Sequence, residues 1–434
     1  MLKTVKFGGS SLASAEQMKK AIQIIKQDRA RRYVVPSAPG KRFSGDAKVT
    51  DLLINCHKAM GASAKIEILS RIRMRYEEII SGLGLALSLD SEFSRIIQAL
   101  RQGADRDYMA SRGEYLNGMI LAEALGYDFL DPVEAIVFSD EGRFLPKITQ
   151  EKLSTLLGKH SRAVIPGFYG AKLDGRIITF SRGGSDVTGA IVAHACNADV
   201  YENWTDVSGF KMANPAIVPE AKQIQVLSYR ELRELSYMGA NVLHEDSIFP
   251  VREAGIPIHI RNTNDPFDEG TMIVQHATHH QDQIITGIAG KKDFTFIMIE
   301  KSMMNNELGF GRKVLSVLEE RGISFEHMPT GIDSLSVAVD SAAIDGKEED
   351  IVREIMKRVE PDHIELSDKM AIIATVGHNM VRNPGTAAKL FTALAENQIN
   401  VRMIDQGSSE MNIIVGVENE DYEKAVRAIY YAFA

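Results

Sequence analysis

The segment Lys6-Phe7-Gly8-Gly9-Ser10-Ser11 constrains this chain more than any other. It follows an apolar start (Met1, Leu2, Val5) and precedes an amphipathic stretch from Ala15 to Lys26. The expected order is strand, glycine turn, helix. Glycines let backbone N–H groups approach an anion with no Cβ in the way, and a helix N-terminus adds partial positive charge. Lys6 adds a mobile ammonium. The spacing is not that of the Walker loop, whose lysine follows its glycines. Taken alone, the hexapeptide fits a phosphate-binding turn and an ordinary strand-to-helix connection equally well.

A chain of 434 residues has room for two or three domains. Its formal charge of -8, with no basic stripe, argues against a nucleic-acid surface. Phosphate chemistry must then rest on a few local cations. Cys56 and Cys196 lie far apart with no metal-ligand spacing, which reads as two core thiols in a reducing cytoplasm. No apolar run approaches the roughly 18 residues of a membrane span, and no signal peptide is expected.

Strand-like and helix-like segments alternate from the start. Residues 33–38, 163–168, 198–204 and 256–260 read as strands. Residues 50–60, 66–83, 91–102, 111–125 and 189–196 read as helices. The alternation predicts an α/β fold with a mainly parallel sheet covered by helices on both faces, where ligands sit at the carboxyl ends of strands. A seam is expected near 275–282. Its histidines, His276, His279 and His280, sit in a polar, local run that reads as linker and not as a metal site. Beyond the seam the chain repeats itself: 309–318 aligns without gaps with 385–394. Each copy reads strand, glycine turn, helix, strand and second strand, and is expected to form one ferredoxin-like βαββαβ unit, which covers one sheet face and needs a neighbour.

A second motif, Ser181-Arg182-Gly183-Gly184-Ser185-Asp186, again joins a strand to a small-residue helix. Its glycines and helix start form another anion nest. Arg182 offers a bidentate fork for a carboxylate. Asp186 fits three roles: a partner for Lys6, a partner for a substrate amine, or a helix-start charge.

These two motifs resemble aspartate kinase, of the amino-acid kinase superfamily. So do Trp204-Thr205-Asp206-Val207-Ser208-Gly209, residues 164–170, Gly113-Glu114 and residues 239–244. The repeat resembles the family's paired ACT domains. The resemblance covers essentially the whole chain. It implies a catalytic domain over 1–282 and a tandem ACT region over 283–434. The ACT units would span about 295–365 and 366–434, with insertion of the first into the second as one arrangement.

The resemblance implies roles residue by residue. Lys6 would contact the transferring phosphoryl group, with Gly8, Gly9 and Ser10 around the phosphates and Ser37 and Ala38 closing on them. Thr50 would touch the amino-acid substrate. Glu114 would hold its ammonium and Arg182 its α-carboxylate, with Ser185 and Asp186 completing the pocket. Thr205 and Asp206 would lie by the nucleotide. The family usually has an arginine where this chain has Ala216 and a lysine where it has Asn241, while Lys211 is a new cation. Lysine is a point charge and does not reproduce an arginine fork.

The implied reaction is ATP-dependent phosphorylation of the L-aspartate side-chain carboxylate. Mg²⁺ would be held mainly by the phosphates, with no protein metal site. This would be the first step toward lysine, threonine and methionine. An effector, lysine and/or threonine, is implied at Met304, Asn305, Phe310, Gly311, Ser324, Phe325 and Glu326. A homodimer or homotetramer through the ACT units is implied, with neither nucleic acid nor membrane as partner. Two rivals remain open: a kinase for another small acid such as glutamate, acetylglutamate or carbamate, and a catalytically silent amino-acid sensor.

Overall fold

The computed structural model describes residues 1–181, 183–240, 243, 245–277, 283–381 and 383–434, the side chains of Glu245 and Asp246 excepted. Arg182, Asn241, His279 and His280 lie outside the described residues. The chain divides into two compact units. The first comprises Met1–Phe210, Gln225–Tyr229 and Asn241–Ala277, the second Lys211–Ile224, Arg230–Ala240 and Thr278–Ala434.

In chain order the strands of the first unit are β1 (Lys3–Phe7), β2 (Arg31–Pro36), β3 (Asp128–Phe129), β4 (Val137–Phe138), β5 (Ala163–Val164), β6 (Tyr169–Lys172), β7 (Ile177–Thr179), β8 (Val200–Thr205), β9 (Val226–Ser228), β10 (Ile258–Asn262) and β11 (Thr271–Val274). Eight of them form one sheet in the order β3-β5-β2-β1-β8-β10-β11-β9, and β4, β6 and β7 form a second, small one. Every ladder of the large sheet is parallel except β10–β11.

Helices α1 (Ala15–Gln27), α2 (Val49–Lys58), α3 (Ala62–Leu83), α4 (Asp90–Arg101) and α5 (Arg106–Leu125) cover one face. Helices α6 (Pro146–Leu157) and α7 (Gly184–Ala195) cover the other. The strand period of two sorts the side chains between these layers. Val34 joins the α1–α5 core, whereas Tyr33 and Val35 join the core under α6 and α7. In β1, Val5 and Phe7 join the α1–α5 core. Lys6 therefore points to the α7 side. The fold is thus the α/β sandwich that the alternation predicts.

Three helix starts differ from the sequence expectation by four residues or more, the first being α3, which begins at Ala62 and not at Ile66. Helix α5 begins at Arg106, five residues before Ser111, because the Asp105 side chain caps it by accepting from the Tyr108 amide at 2.8 Å. Helix α7 begins at Gly184 and not at Gly189, which brings Ser185 and Asp186 into its first turn.

In the second unit, α8 (Tyr229–Tyr237, all but its first residue) precedes β12 (Gly287–Glu300), β13 (Phe325–His327), β14 (Ser334–Asp340), β15 (His363–Val376), β16 (Met403–Asp405) and β17 (Asn412–Glu418). These six strands form an antiparallel sheet in the order β13-β14-β12-β15-β17-β16. The long strands β12 and β15 pair from Gly287↔Val376 to Glu300↔His363. The Phe294–Glu300 half of β12 carries β14, and the Met370–Val376 half of β15 carries β17. The two ACT-like halves are thereby joined through two shared strands. Each repeat places a glycine of positive φ before its first helix, Gly309 (φ +76) and Gly385 (φ +89). No described helix is long and apolar enough to cross a membrane.

The centre of the large sheet buries a charge cluster. Glu202 is fully buried and accepts from Arg31 Nε at 2.7 Å, Lys3 Nζ at 2.8 Å and Trp204 Nε1 at 2.8 Å. Burial alone raises its carboxyl pKa, but the hydrogen bonds and charges of Arg31 and Lys3 outweigh this and hold it below its ordinary value. Its stabilisation is therefore present above the unfolded-state pKa and lost as pH falls through the depressed folded value. Glu202→Ala leaves the buried Arg31 without its partner and should destabilise the protein by about 3–5 kcal/mol. Thermal unfolding of the variant checks this. A transition within a degree of the parent's would contradict it.

Candidate active site

The carboxyl ends of β1, β2 and β8 meet the first turns of α2 and α7 and the middle of α5. The parallel register sets Lys6 directly beside Asn203. Lys6 is nearly buried, and its ammonium lies 2.6 Å from Asp186 Oδ1 and 3.3 Å from Asn203 Oδ1. Asn203 Nδ2 in turn donates to Asp186 Oδ1 at 2.7 Å, and the Asp186 carbonyl accepts from Tyr201. The structure pairs Asp186 with Lys6 and also sets it in the first turn of α7, so two of its three expected roles are compatible with the geometry. Asn203 was not singled out in the sequence. Its only signal is its place two residues before Thr205 on a strand.

The glycine turn is built for close approach. The Gly8 amide donates to the Trp204 carbonyl at 2.9 Å. A Cβ on Gly9 would lie 2.9 Å from the Ala38 carbonyl and 3.2 Å from Gly40 Cα, so only glycine lets the two turns touch. A 3₁₀ turn, Ser10–Leu12, follows, and α1 starts separately with Ser14 as its cap. The α1 N-terminus is thus set apart from the glycines. The amides that remain are those of Gly9 and Ser10, which have no acceptor among the described residues. Ser37 closes the second strand: its amide donates to the Phe7 carbonyl and its carbonyl accepts from Asn117.

Glu114 is buried on α5, with Oε2 lacking any hydrogen-bond partner. Burial pushes its carboxyl up to about 8, partly offset by the Ala38 amide and its own. Asn117, on the same helix face, has an equally orphaned buried Oδ1. Two acceptors without donors complement a cation, such as an amino-acid ammonium. Gly113 lets α5 press against Ala38, and a Cβ there would lie 3.7 Å from Thr50 Oγ1, which places Thr50 beside Glu114's helix. Ser185 packs on Gly167, where a Cβ would come within 2.7 Å of its Oγ.

Thr205 and Asp206 sit at the end of β8, joined by a 3.1 Å hydrogen bond, with Asp206 exposed. Lys211 is exposed and belongs to the second unit, in a bridge with Gln223. Phe168, expected at the end of a strand over 163–168, lies beyond β5, which ends at Val164. It adopts φ +82 between Gly167 and β6, a conformation that a bulky residue rarely takes, with its amide held by Thr188 Oγ1 at 3.0 Å. Among the described residues no cluster of three or more His, Cys, Asp or Glu side chains could hold a metal ion.

Residues 1–262 match the amino acid kinase family, and residues 373–433 match the ACT domain. Aspartokinase 3 of Bacillus subtilis (strain 168) is 38% identical over 452 residues, spanning 100% of this chain and 98% of its own. The chain belongs to the aspartate kinase family. The crystal structure of Clostridium acetobutylicum aspartate kinase is 50% identical, with a TM-score of 0.92 and full coverage of both chains. That of E. coli aspartokinase III in complex with aspartate and ADP is 24% identical, with a TM-score of 0.78 over 100% of this chain and 99% of its own, a likeness of fold.

In this aspartate kinase the effector candidates divide by burial. Met304 and Phe310 lie in the apolar core of the first ACT repeat. Asn305, Ser324 and Phe325 are exposed, and Glu326 is half-buried. Space beside Gly311 is open.

The raised pKa of Glu114 has a measurable consequence. In the free protein the carboxyl is mostly protonated near neutral pH, and it must ionise to hold an ammonium. Binding an amino acid there should release a proton, and affinity should rise up to about tenfold per pH unit below the pKa of about 8. For folding the sign is opposite: the contribution is complete below 4.5 and is lost as pH rises through about 8. Calorimetric titrations with amino acid in buffers of different ionisation heat count the protons. No proton release in the parent, or the same pH slope in Glu114→Gln, would remove Glu114 from this role.

Proposed function

We propose that this kinase transfers the γ-phosphoryl group of ATP to the side-chain carboxylate of L-aspartate. The observation that carries the reading is one site holding both halves of the problem. The Lys6 ammonium, fixed by Asp186 and Asn203, lies beside Gly8, where a Cβ would be 3.6 Å from it, and the unpaired Gly9 and Ser10 amides follow in the chain. The orphaned oxygens of Glu114 and Asn117 offer themselves to a cation. The first set suits phosphates and the second an amino-acid ammonium. Arg182, outside the described residues, is assigned the α-carboxylate. The names of the Bacillus and Clostridium relatives support aspartate as acceptor.

The chemistry needs little from the protein beyond position and charge. A carboxylate is already a nucleophile at neutral pH, so no general base is required. Phosphoryl transfer spreads negative charge over the equatorial oxygens, and the enzyme must bring two anions together. Lys6 neutralises the transferring group, and the Gly9 and Ser10 amides orient its neighbours. Mg²⁺, when present, supplies further neutralisation. The family resemblance implies that it is carried mainly on the nucleotide phosphates. Ser185 and Thr50 orient the acceptor, with Thr205 and Asp206 assigned to the nucleotide.

The ACT repeats are assigned feedback control by lysine and/or threonine at the turn of Asn305, Gly311 and Glu326. They also give the contact that assembles two or four copies. The reaction is proposed as the first step toward those amino acids. Support comes from the repeat itself, which carries none of the phosphate or substrate groups.

ATP and aspartate with hydroxylamine should give aspartyl hydroxamate, whereas glutamate or acetylglutamate should not. Lys6→Ala should lower kcat by roughly 10²-fold or more, the scale of one lost electrostatic stabiliser. Turnover of glutamate in place of aspartate, or near-normal turnover without Lys6, would overturn the reading. Glu326→Ala should raise the lysine or threonine concentration needed for inhibition while uninhibited kcat holds. Inhibition unchanged in that variant would move the effector site elsewhere.

A further inference from the structure

The loop from Pro39 to Lys48, between β2 and α2, carries three cations, Lys41, Arg42 and Lys48. It is pinned with unusual thoroughness for a polar loop. Arg75, on α3, is only 4% exposed and donates to carbonyls of three separate segments: Ala47 at 2.6 Å, Ala13 at 3.4 Å, and Gly40. The same guanidinium lies 3.2 Å from Asp46 Oδ2. Arg42 is tied to Asp46 at 2.9 Å and to Glu78 at 3.0 Å. The Arg42 hydrogen bond is the largest influence holding the Asp46 carboxyl well below the usual carboxylate range. The clamp therefore stays ionised across the whole working range of pH.

What this clamp presents is the glycine turn's opposite wall. The Gly40 amide donates to the Gly9 carbonyl at 2.7 Å, and a Cβ on Gly40 would fall within 2.7 Å of the Ser10 nitrogen. Lys41 is the next residue. It is exposed, and its ammonium makes no hydrogen bond or ion pair among the described residues. Consecutive Cα atoms lie about 3.8 Å apart, and a flexible four-carbon stem then spans the short gap to the free Gly9 and Ser10 amides. Arg42 is already committed to two carboxylates, and Lys48 sits at the far end of the loop as the residue before α2.

The charge balance of the site points the same way. Lys6 is paired with Asp186 at 2.6 Å, so part of its charge is already offset before a polyphosphate arrives. A second cation on the facing loop would add to the neutralisation that Lys6 supplies.

We infer that Lys41 binds the nucleotide phosphates, with Arg75 and Asp46 as the residues that position it. The inference rests on the glycine turn being the phosphate site. It does not depend on aspartate being the acceptor, so its test omits aspartate. Calorimetric titration of the full chain with Mg-ATP should show binding on the order of 10-fold weaker or worse in Lys41→Ala, the scale of one lost charge-assisted contact. Lys41→Arg should recover most of the affinity. Lys48→Ala should change it by less than about twofold, because a screened charge at the far end contributes little. The salt dependence of binding should be shallower in Lys41→Ala than in Lys48→Ala. Thermal unfolding should be unchanged, since Lys41 is exposed. Equal losses in Lys41→Ala and Lys48→Ala would reduce the effect to general surface charge and overturn the assignment. Unchanged ATP affinity in Lys41→Ala would also overturn it. A parent that binds ATP but does not phosphorylate aspartate would sink the functional reading and leave Lys41 standing.

Discussion

A lysine ammonium held against an aspartate in a nearly closed pocket is the contact on which this site depends. Taking both charges out of water is costly, and the pair persists because its geometry is fixed from outside. The parallel ladder of β1 and β8 sets Lys6 beside Asn203, and α7 delivers Asp186 from its first turn. Asn203 then bonds to both partners. Shifting β1 by one residue would turn Lys6 to the α1–α5 face and Phe7 toward α7. The apolar alternation of β1 is therefore also a constraint on the candidate site. Burial of Val5 and Phe7 is what aims Lys6.

The same logic explains the glycines. Gly9 and Gly40 touch at a distance that no side chain allows, and Gly113 and Gly167 let α5 and α7 close on the strand ends. Each removes a Cβ so that backbone amides or a buried polar side chain can face one small volume. A pocket made this way is rigid before any ligand arrives, and preorganised donors lose less on binding than mobile ones. The raised pKa of Glu114 is the cost of that closure. Its carboxyl is dehydrated in advance and stays protonated well above the ordinary carboxylate range.

Much of this was legible in the sequence. The two glycine motifs, the alternation of strand and helix, and the internal repeat pointed to the sandwich and the paired ACT units. Lys6 and Asp186, 180 residues apart in the chain, were both named because each adjoined a glycine turn. What stayed hidden is equally physical. Asn203 looks like any strand residue until the register with β1 is known. The clamp of Arg75 depends on α3 crossing behind a loop, and an arginine within an amphipathic helix reads as a solvated charge. Phe168 carries its information in a backbone angle that residue type argues against. The starts of α5 and α7 were misjudged because a capping aspartate and a left-handed glycine, not the apolar pattern, decide where those helices begin.

The second unit poses a different problem, which its strands answer. Two ACT-like halves that merely touched could each respond to a ligand without informing the other. Here β12 and β15 run through both halves, fourteen residues each, and pair along most of their length. The ladder is irregular between Lys291 and Phe294, where Asp293 takes φ +69, and Lys369 on the facing strand takes φ +54. A break in the middle of two long strands is where one half can turn against the other while the flanking hydrogen bonds survive. His327 of β13 and Asp405 of β16, from different halves, also meet at 2.9 Å. A ligand that favours one arrangement of the first half is thus tied, through shared backbone and through this contact, to the arrangement of the second. Coupling of this kind requires only that the ligand bind one arrangement better than the other.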